Sequence, residues 1–201
     1  YKQTTENAYV NADKNPITSQ VSGIVKEVYV TDTQDVKEGQ LLAVIDDTDY
    51  KVALEAAEAG IGQAVRAYYS TMAMSDTANQ DIKLKEISAA KASVDYSRDM
   101  EAYKAGLISA EALSNTKAMN DQAQAALKVS RANSQNTKVQ VSGSLNDFPA
   151  LKQAVVAYKT AYINLSRTKI YSTINGKIAK KNINVGQRIM LNQELFTVVN
   201  L

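Results

Sequence analysis

The 201-residue chain contains no cysteine, no histidine and no tryptophan, and it has only two prolines and two phenylalanines. Without cysteine there is no disulfide and no thiolate metal site, and the composition fits a periplasmic, extracellular or cytosolic protein equally well. Without histidine the commonest general base and metal ligand are missing. That weighs against catalysis, and no constellation of carboxylates and serines replaces it. Charge of one sign is lacking too. The 23 basic and 21 acidic side chains leave a net charge of +2, so no strong field draws the chain to nucleic acid or anionic lipid. No apolar run approaches the roughly 20 residues that span a bilayer. The chain opens at Tyr1 rather than Met, so a signal sequence or membrane anchor is expected outside these residues.

What the sequence does have is a long helix-period stretch, residues 48–169, between two β-rich ends. Residues 1–15 are mostly polar, with Ala8-Tyr9-Val10 as a strand-like patch that suits a neighbouring domain. Residues 16–47 read as short strands: Val21-Ser22-Gly23-Ile24-Val25, then Val28-Tyr29-Val30, then Leu41–Ile45, punctuated by polar turns. Gly23 and Gly39 are expected at turn or bulge positions that need φ > 0. Residues 170–201 repeat this pattern. Gly176 opens a glycine-then-strand unit like Gly23, Val185-Gly186 parallels Val36-Lys37-Glu38-Gly39, and Leu195–Val199 parallels Leu41–Ile45. Two related half-motifs flanking an insertion predict a pseudo-two-fold sandwich that closes only when both halves meet. Lys177, Lys180, Lys181 and Arg188 are expected on a solvated strand face.

Asp46, Asp47 and Asp49 supply N-cap candidates for the first helix, and capping accounts for them more simply than a metal site. Leu54, Ile61, Val65, Tyr68 and Met72, then more weakly Ile82, Leu84, Ile87 and Val94, predict a narrow seam of coiled-coil type. Lys104-Ala105-Gly106 places a cation in the last turn and glycine at C′, while Ser109 and Glu111 open the next helix. So short a connection, with its tip at residues 105–109, makes the two arms antiparallel. The second arm has a sparse seam of Leu113, Ala123 and Leu127, with Asn120, Ser130 and Ser134 between them. A break follows near residues 141–149, where Gly143 and Pro149 fall, and then a stripe of Leu151, Val155, Tyr158, Tyr162 and Leu165. At ~1.5 Å per residue, arms of this length reach roughly 85–90 Å. The expected fold is α+β: a long antiparallel α-helical coiled-coil hairpin inserted between the two halves of a β-sandwich.

The combination of Val21-Ser22-Gly23-Ile24-Val25, Val36-Lys37-Glu38-Gly39, Leu41–Ile45, the hairpin, Gly176, Val185-Gly186 and Leu195–Val199 resembles the periplasmic adaptor (membrane fusion protein, HlyD-like) family. Asn7-Ala8-Tyr9-Val10 and the Asp147-Phe148-Pro149-Ala150 break are most similar to EmrA-type multidrug export adaptors. The resemblance implies a lipoyl-like sandwich split by the hairpin, with a β-barrel domain and an inner-membrane anchor beyond these residues. It implies a periplasmic, membrane-anchored subunit of a tripartite efflux system. Its partners would be an inner-membrane exporter of major-facilitator type, a TolC-like outer-membrane channel and further copies of itself, and hydrophobic drugs would be the cargo. A type I protein or peptide secretion adaptor is the alternative within the family. Channel-docking members carry Arg, then Leu four residues on, then Ser seven after that. Here Arg98 and Ser109 match and Ala102 takes the middle position, so Leu107 or Ile108, beside Gly106, is expected to supply the apolar contact. A lipoyl or biotinyl carrier is disfavoured, because the hairpin replaces the turn that holds the modified lysine. No cofactor or metal is expected.

Overall fold

The computed structural model describes residues 14–141 and 143–200, so the expected strand at Ala8-Tyr9-Val10 lies outside the described residues. The chain divides into two compact units, Tyr1–Gly60 with Ala154–Leu201, and Ile61–Gln153. The fold class is α+β, with a helical hairpin and antiparallel sheets.

The first unit is built on eight short strands: β1 (Lys14–Thr18), β2 (Gly23–Val28), β3 (Asp35–Val36), β4 (Leu41–Ile45), β5 (Lys169–Tyr171), β6 (Gly176–Lys181), β7 (Arg188–Ile189) and β8 (Glu194–Val199). They form two four-stranded antiparallel sheets, ordered β1-β8-β6-β3 and β5-β4-β2-β7. The core between them takes Val25, Leu42 and Ile45 from the first half and Ile178, Leu195 and Val198 from the second, all essentially fully buried.

The two halves superimpose in sequence at one constant offset. Ile17 matches Ile170, Gly23 matches Gly176, Val36 matches Ile189 and Leu42 matches Leu195, each pair buried alike or placed alike. The hydrogen bonds obey the same offset: Val25 N–H donates to Gln187 O at 2.9 Å and Ile178 N–H to Gln34 O at 2.9 Å. Even the turns are copied, with Gln34, Gln40, Gln187 and Gln193 each accepting at Oε1 from the backbone N–H three residues earlier, at 3.0 Å. This alignment corrects two expectations. Gly186 (φ 82°) stands opposite Thr33 (φ 67°), and Gly39 (φ 77°) stands opposite Asn192 (φ 62°), so each left-handed turn uses glycine in one half and a side-chain-bearing residue in the other. Leu195 corresponds to Leu42, one residue further along than Leu41. Gly23 also differs from expectation, since its φ is not left-handed. A Cβ there would lie 2.5 Å from Ile45 Cγ2, and one at Gly176 would lie 2.3 Å from Val199 O. Close strand approach is what requires glycine at both sites.

Between the β halves run α1 (Thr48–Lys104), α2 (Ala110–Val141), a short 3-10 turn (Leu145–Asp147) and α3 (Pro149–Ser166). At the start of α1, Asp46 Oδ1 accepts from Thr48 N–H at 3.1 Å and from Thr48 Oγ1 at 2.7 Å, and Lys51 pairs with Asp47 at 2.9 Å. The hydrogen bond from Thr48 holds Asp46 below the ordinary carboxylate value, and the one from Lys51 does the same for Asp47. Both therefore stabilise the helix start at any pH above that ordinary value and stop doing so as acid titrates through the lowered folded values.

Within the second unit, α1 and α2 pack through a seam that keeps a strict seven-residue repeat. On α1 the seam positions are Tyr68, Ser75, Ile82 and Ala89 (position a) with Thr71, Ala78, Lys85 and Ala92 (position d). On α2 they are Leu113, Asn120, Leu127 and Ser134 (a) with Thr116, Ala123, Ser130 and Thr137 (d), as expected for that arm. The first arm differs from expectation. Leu84, Ile87 and Val94 point outward, 64%, 68% and 66% exposed, and Met72 is exposed as well. Small side chains hold the seam because they let the helices approach closely. Three polar pairs set the register: Ser134 Oγ donates to Asn79 Oδ1 at 3.0 Å, Ser130 Oγ to Asp81 Oδ2 at 2.7 Å, and Thr116 Oγ1 to Asp99 Oδ2 at 2.6 Å. Below them Tyr68 meets Phe148 edge-on, with ring centroids 5.5 Å apart. In α3, Leu151 and Ala161 are buried while Tyr162, expected in the stripe, is exposed beside Tyr158.

Two stability outcomes follow. Gly176→Ala should destabilise the sandwich by about 3 kcal/mol, the upper end of overpacking costs, whereas Thr33→Gly should stabilise it by roughly 0.5–1 kcal/mol by relieving a left-handed β-branched residue. Urea unfolding of both variants tests this, and a neutral Gly176→Ala would refute the close approach. In the hairpin, Ser130→Ala should cost about 1 kcal/mol by removing the buried hydroxyl that bonds to Asp81, and Leu84→Ala no more than about 0.5 kcal/mol. Thermal unfolding followed by far-ultraviolet dichroism ranks the two, and the reverse order would place Leu84 in the seam.

Candidate docking tip

α1 ends through a reciprocal backbone cap. Gly106, in the left-handed region at φ 75°, donates its N–H to Tyr103 O at 2.9 Å, and Leu107 N–H reaches back to Ala102 O at 2.9 Å. This 5→2 and 6→1 pair is the Schellman arrangement, which only a residue tolerant of positive φ completes without strain. On the other side Ser109 is the N-cap of α2. Its Oγ accepts from Ala112 N–H at 3.1 Å, and its carbonyl accepts from Leu113 N–H at 3.2 Å.

The caps leave side chains free. Leu107 is 77% exposed, the most open large apolar residue among the described residues, while Ile108 is half-buried. Ala102 is half-buried too, and its structural part is played by its carbonyl. Arg98 lies about two turns down α1, mostly exposed, held by Asp95 at 3.1 Å and by Asp99 at 3.7 Å. Asp99 also receives Thr116 Oγ1, so the Arg98 guanidinium is tied through one carboxylate to the outermost of the three seam pairs. Gly106, Leu107, Ile108 and Ser109 thus form one contiguous turn, and Arg98 belongs to the shaft below it. Tyr103, which lies outside the expected tip residues, is exposed one residue before the last helical position. The signal was available: Tyr103 continues the seven-residue series of Tyr96 past the point where α2 provides anything to cover it. Among the described residues no group of three or more acidic side chains forms a metal site, and no helix is long and apolar enough to cross a membrane. With no nucleophile–base pair at the tip, what this turn offers is an apolar and hydroxyl surface at a fixed position.

Residues 48–168 match the model of the EmrA α-helical hairpin domain. Among curated proteins the chain is 34% identical to the fatty acid resistance protein FarA of Neisseria gonorrhoeae, over 98% of this chain and 50% of that protein. It is 33% identical to the multidrug export protein EmrA of Escherichia coli strain K12, over 98% of this chain and 51% of that protein. It therefore spans about half the length of these relatives. Among solved structures the periplasmic adaptor protein EmrA aligns over 94% of this chain and 73% of that one, with a TM-score of 0.51 and 19% identity, which is a likeness of fold. On the family match across the hairpin and the likeness of the split sandwich, the chain belongs to the EmrA-type membrane fusion protein family.

Proposed function

We propose that the chain is the periplasmic portion of a non-catalytic adaptor in a tripartite multidrug efflux system. It would join an inner-membrane exporter of major-facilitator type to a TolC-like outer-membrane channel, with an anchor to the inner membrane outside the 201 residues. Copies of the adaptor assemble side by side, and the hairpin tip meets the channel. The observation that carries this reading is the tip: both helix ends are capped by backbone and by Ser109, and the exposed Leu107 side chain takes no part in either cap. In this reading Leu107 supplies the apolar contact that Ala102 is too small to make, with Ile108 and Ser109 beside it. Arg98 adds charge from the shaft. The relatives' names, multidrug export and fatty-acid resistance, support hydrophobic cargo.

The test uses the absence of cysteine from these residues. Ser109→Cys in the full-length protein, treated in cells with a bifunctional thiol-to-amine cross-linker, should join the adaptor to an outer-membrane channel. Leu107→Asp should lower that yield at least tenfold while leaving helix content unchanged. Cross-links to other adaptor copies alone would sink the docking role of this turn.

A further inference from the structure

The charge of α2 is confined to one flank. Between Ala112 and Gln140 the ionisable side chains are Lys117, Asp121, Lys128, Arg131 and Lys138, and all fall at positions b and e of the seven-residue repeat. The outer position f carries Ala118, Ala125 and Ala132, with Val139 at the end of the series, all exposed, and the opposite flank carries no charge either. A helix that only faces water has charged residues on its outer face; this one presents a smooth alanine ridge. The outer ridge of α1 is its converse in size, with Ile87 and Val94 protruding at position f and Leu84 beside them at position c.

The polar seam pairs fix which residues share a height. By that register Ile87 lies within one residue of the height of Ala125, and Val94 within one of Ala118. The two f ridges point away from each other within a hairpin, so they cannot meet inside one copy. Copies arranged in a closed ring by rotation alone keep every residue at its own height. In such a ring the large side chains of one α1 fall on the alanines of the neighbouring α2 at matched seven-residue spacing, which is the condition for knobs to enter holes. Charge selects the same contact. On flank c, Leu84 shares a height with Val129, Lys91 with Gln122 and Arg98 with Asn115, so an apolar pair and two cation–amide pairs form. On flank b, Lys83 shares a height with Lys128, and two cations oppose packing on that side. Near the tip Glu101 and Glu111 share a height, so like charges end the contact there and leave Leu107 clear.

We infer that the alanine ridge of α2 is the docking surface for the α1 outer ridge of a second copy of this chain, a head-to-tail interface. The inference rests on the self-assembly in the proposed function and names the faces that make it. In the full chain, Ile87→Cys and Ala125→Cys should each give no disulfide above the unsubstituted protein on mild oxidation. Mixing the two single variants should give a dimer, and the double variant a ladder of dimers, trimers and higher species. Val94→Cys/Ala118→Cys should give the same ladder, and adding Ala125→Glu to that pair should lower it at least tenfold, with helix content by dichroism unchanged. A dimer from Ala125→Cys alone would mean a symmetric α2–α2 contact and overturn the proposal. Absence of the ladder in a protein that sediments as an oligomer, or still cross-links through Ser109→Cys to a channel, would overturn the interface and leave the adaptor reading standing. Loss of ladder, oligomer and channel cross-link together would remove both.

Discussion

In the sandwich β1 hydrogen-bonds to β8 and β5 to β4, so each sheet is completed by a strand from the other half of the chain. Neither half can bury Leu42, Ile45, Leu195 or Val198 alone. The consequence reaches the hairpin, because Ile45 N–H donates to Thr168 O at 2.8 Å, and that bond ties the end of β4, three residues before α1, to the second residue after α3. The cost of closing the intervening loop grows only with the logarithm of its length. A core of short strands therefore tolerates a very long insertion, provided the insertion carries its own packing. The hairpin's seam supplies that packing.

How the seam does so explains its composition. A seam of large apolar side chains holds helices together but discriminates weakly between one axial register and the next. Hydroxyl–carboxylate and hydroxyl–amide pairs contribute modestly each, about 0.5–1.5 kcal/mol net. A slip of one turn, however, breaks them all together and leaves the buried hydroxyls of Ser130 and Ser134 without these partners. Ser134 with Asn79, Ser130 with Asp81 and Thr116 with Asp99 therefore act as three separate markers along the shaft, and Arg131 with Glu86 at 2.8 Å adds a fourth on the exposed flank. Alanines at Ala78, Ala89, Ala92 and Ala123 bring the backbones close enough for short polar side chains to reach across. These pairs hold the turn at residues 105–109 in one register with the seam better than a greasier seam would.

Much of this was legible in the residues, and the failures share one cause. The strand-rich halves, the antiparallel hairpin, the glycine end of α1 and the seam of α2 all follow from periodicity and capping. In α1, Tyr68 and Ile82 fall in the seam as expected, but hydropathy also marks Leu84, Ile87 and Val94 as residues to bury, whereas close helix approach selects for small size. The repeat was misaligned for a related reason. Matching glycine to glycine pairs Gly186 with Gly39, but the backbone conformation is what repeats, and Thr33 and Asn192 adopt it without being glycine. Gly23 shows the converse, a glycine kept for the space beside Ile45. At the tip, the capping roles of Gly106 and Ser109 were readable. The exposure of Leu107 and the pairing of Arg98 with Asp95 and Asp99 were not, since both depend on where the second helix ends its cover.

The two ends of α1 show how capping divides structural from available side chains. At the base, Asp46 and Asp47 are committed: their carboxylates hold the first turn and Lys51, which leaves them little freedom to bind anything else. At the far end the same work is done by the main chain, with Gly106 and Leu107 donating backward and Ser109 closing the next helix with one hydroxyl. The side chains of Tyr103 and Leu107 are consequently exposed without a part in either cap, and Leu107 is the more open of the two. A monomer gains nothing from keeping a leucine so exposed, since water contact with its side chain is unfavourable by about 25 cal/mol per Å². The turn thus has its geometry fixed by backbone and its chemistry left open, and it stands at the end of a shaft whose length is set by paired polar residues. That is the arrangement the proposed docking role requires.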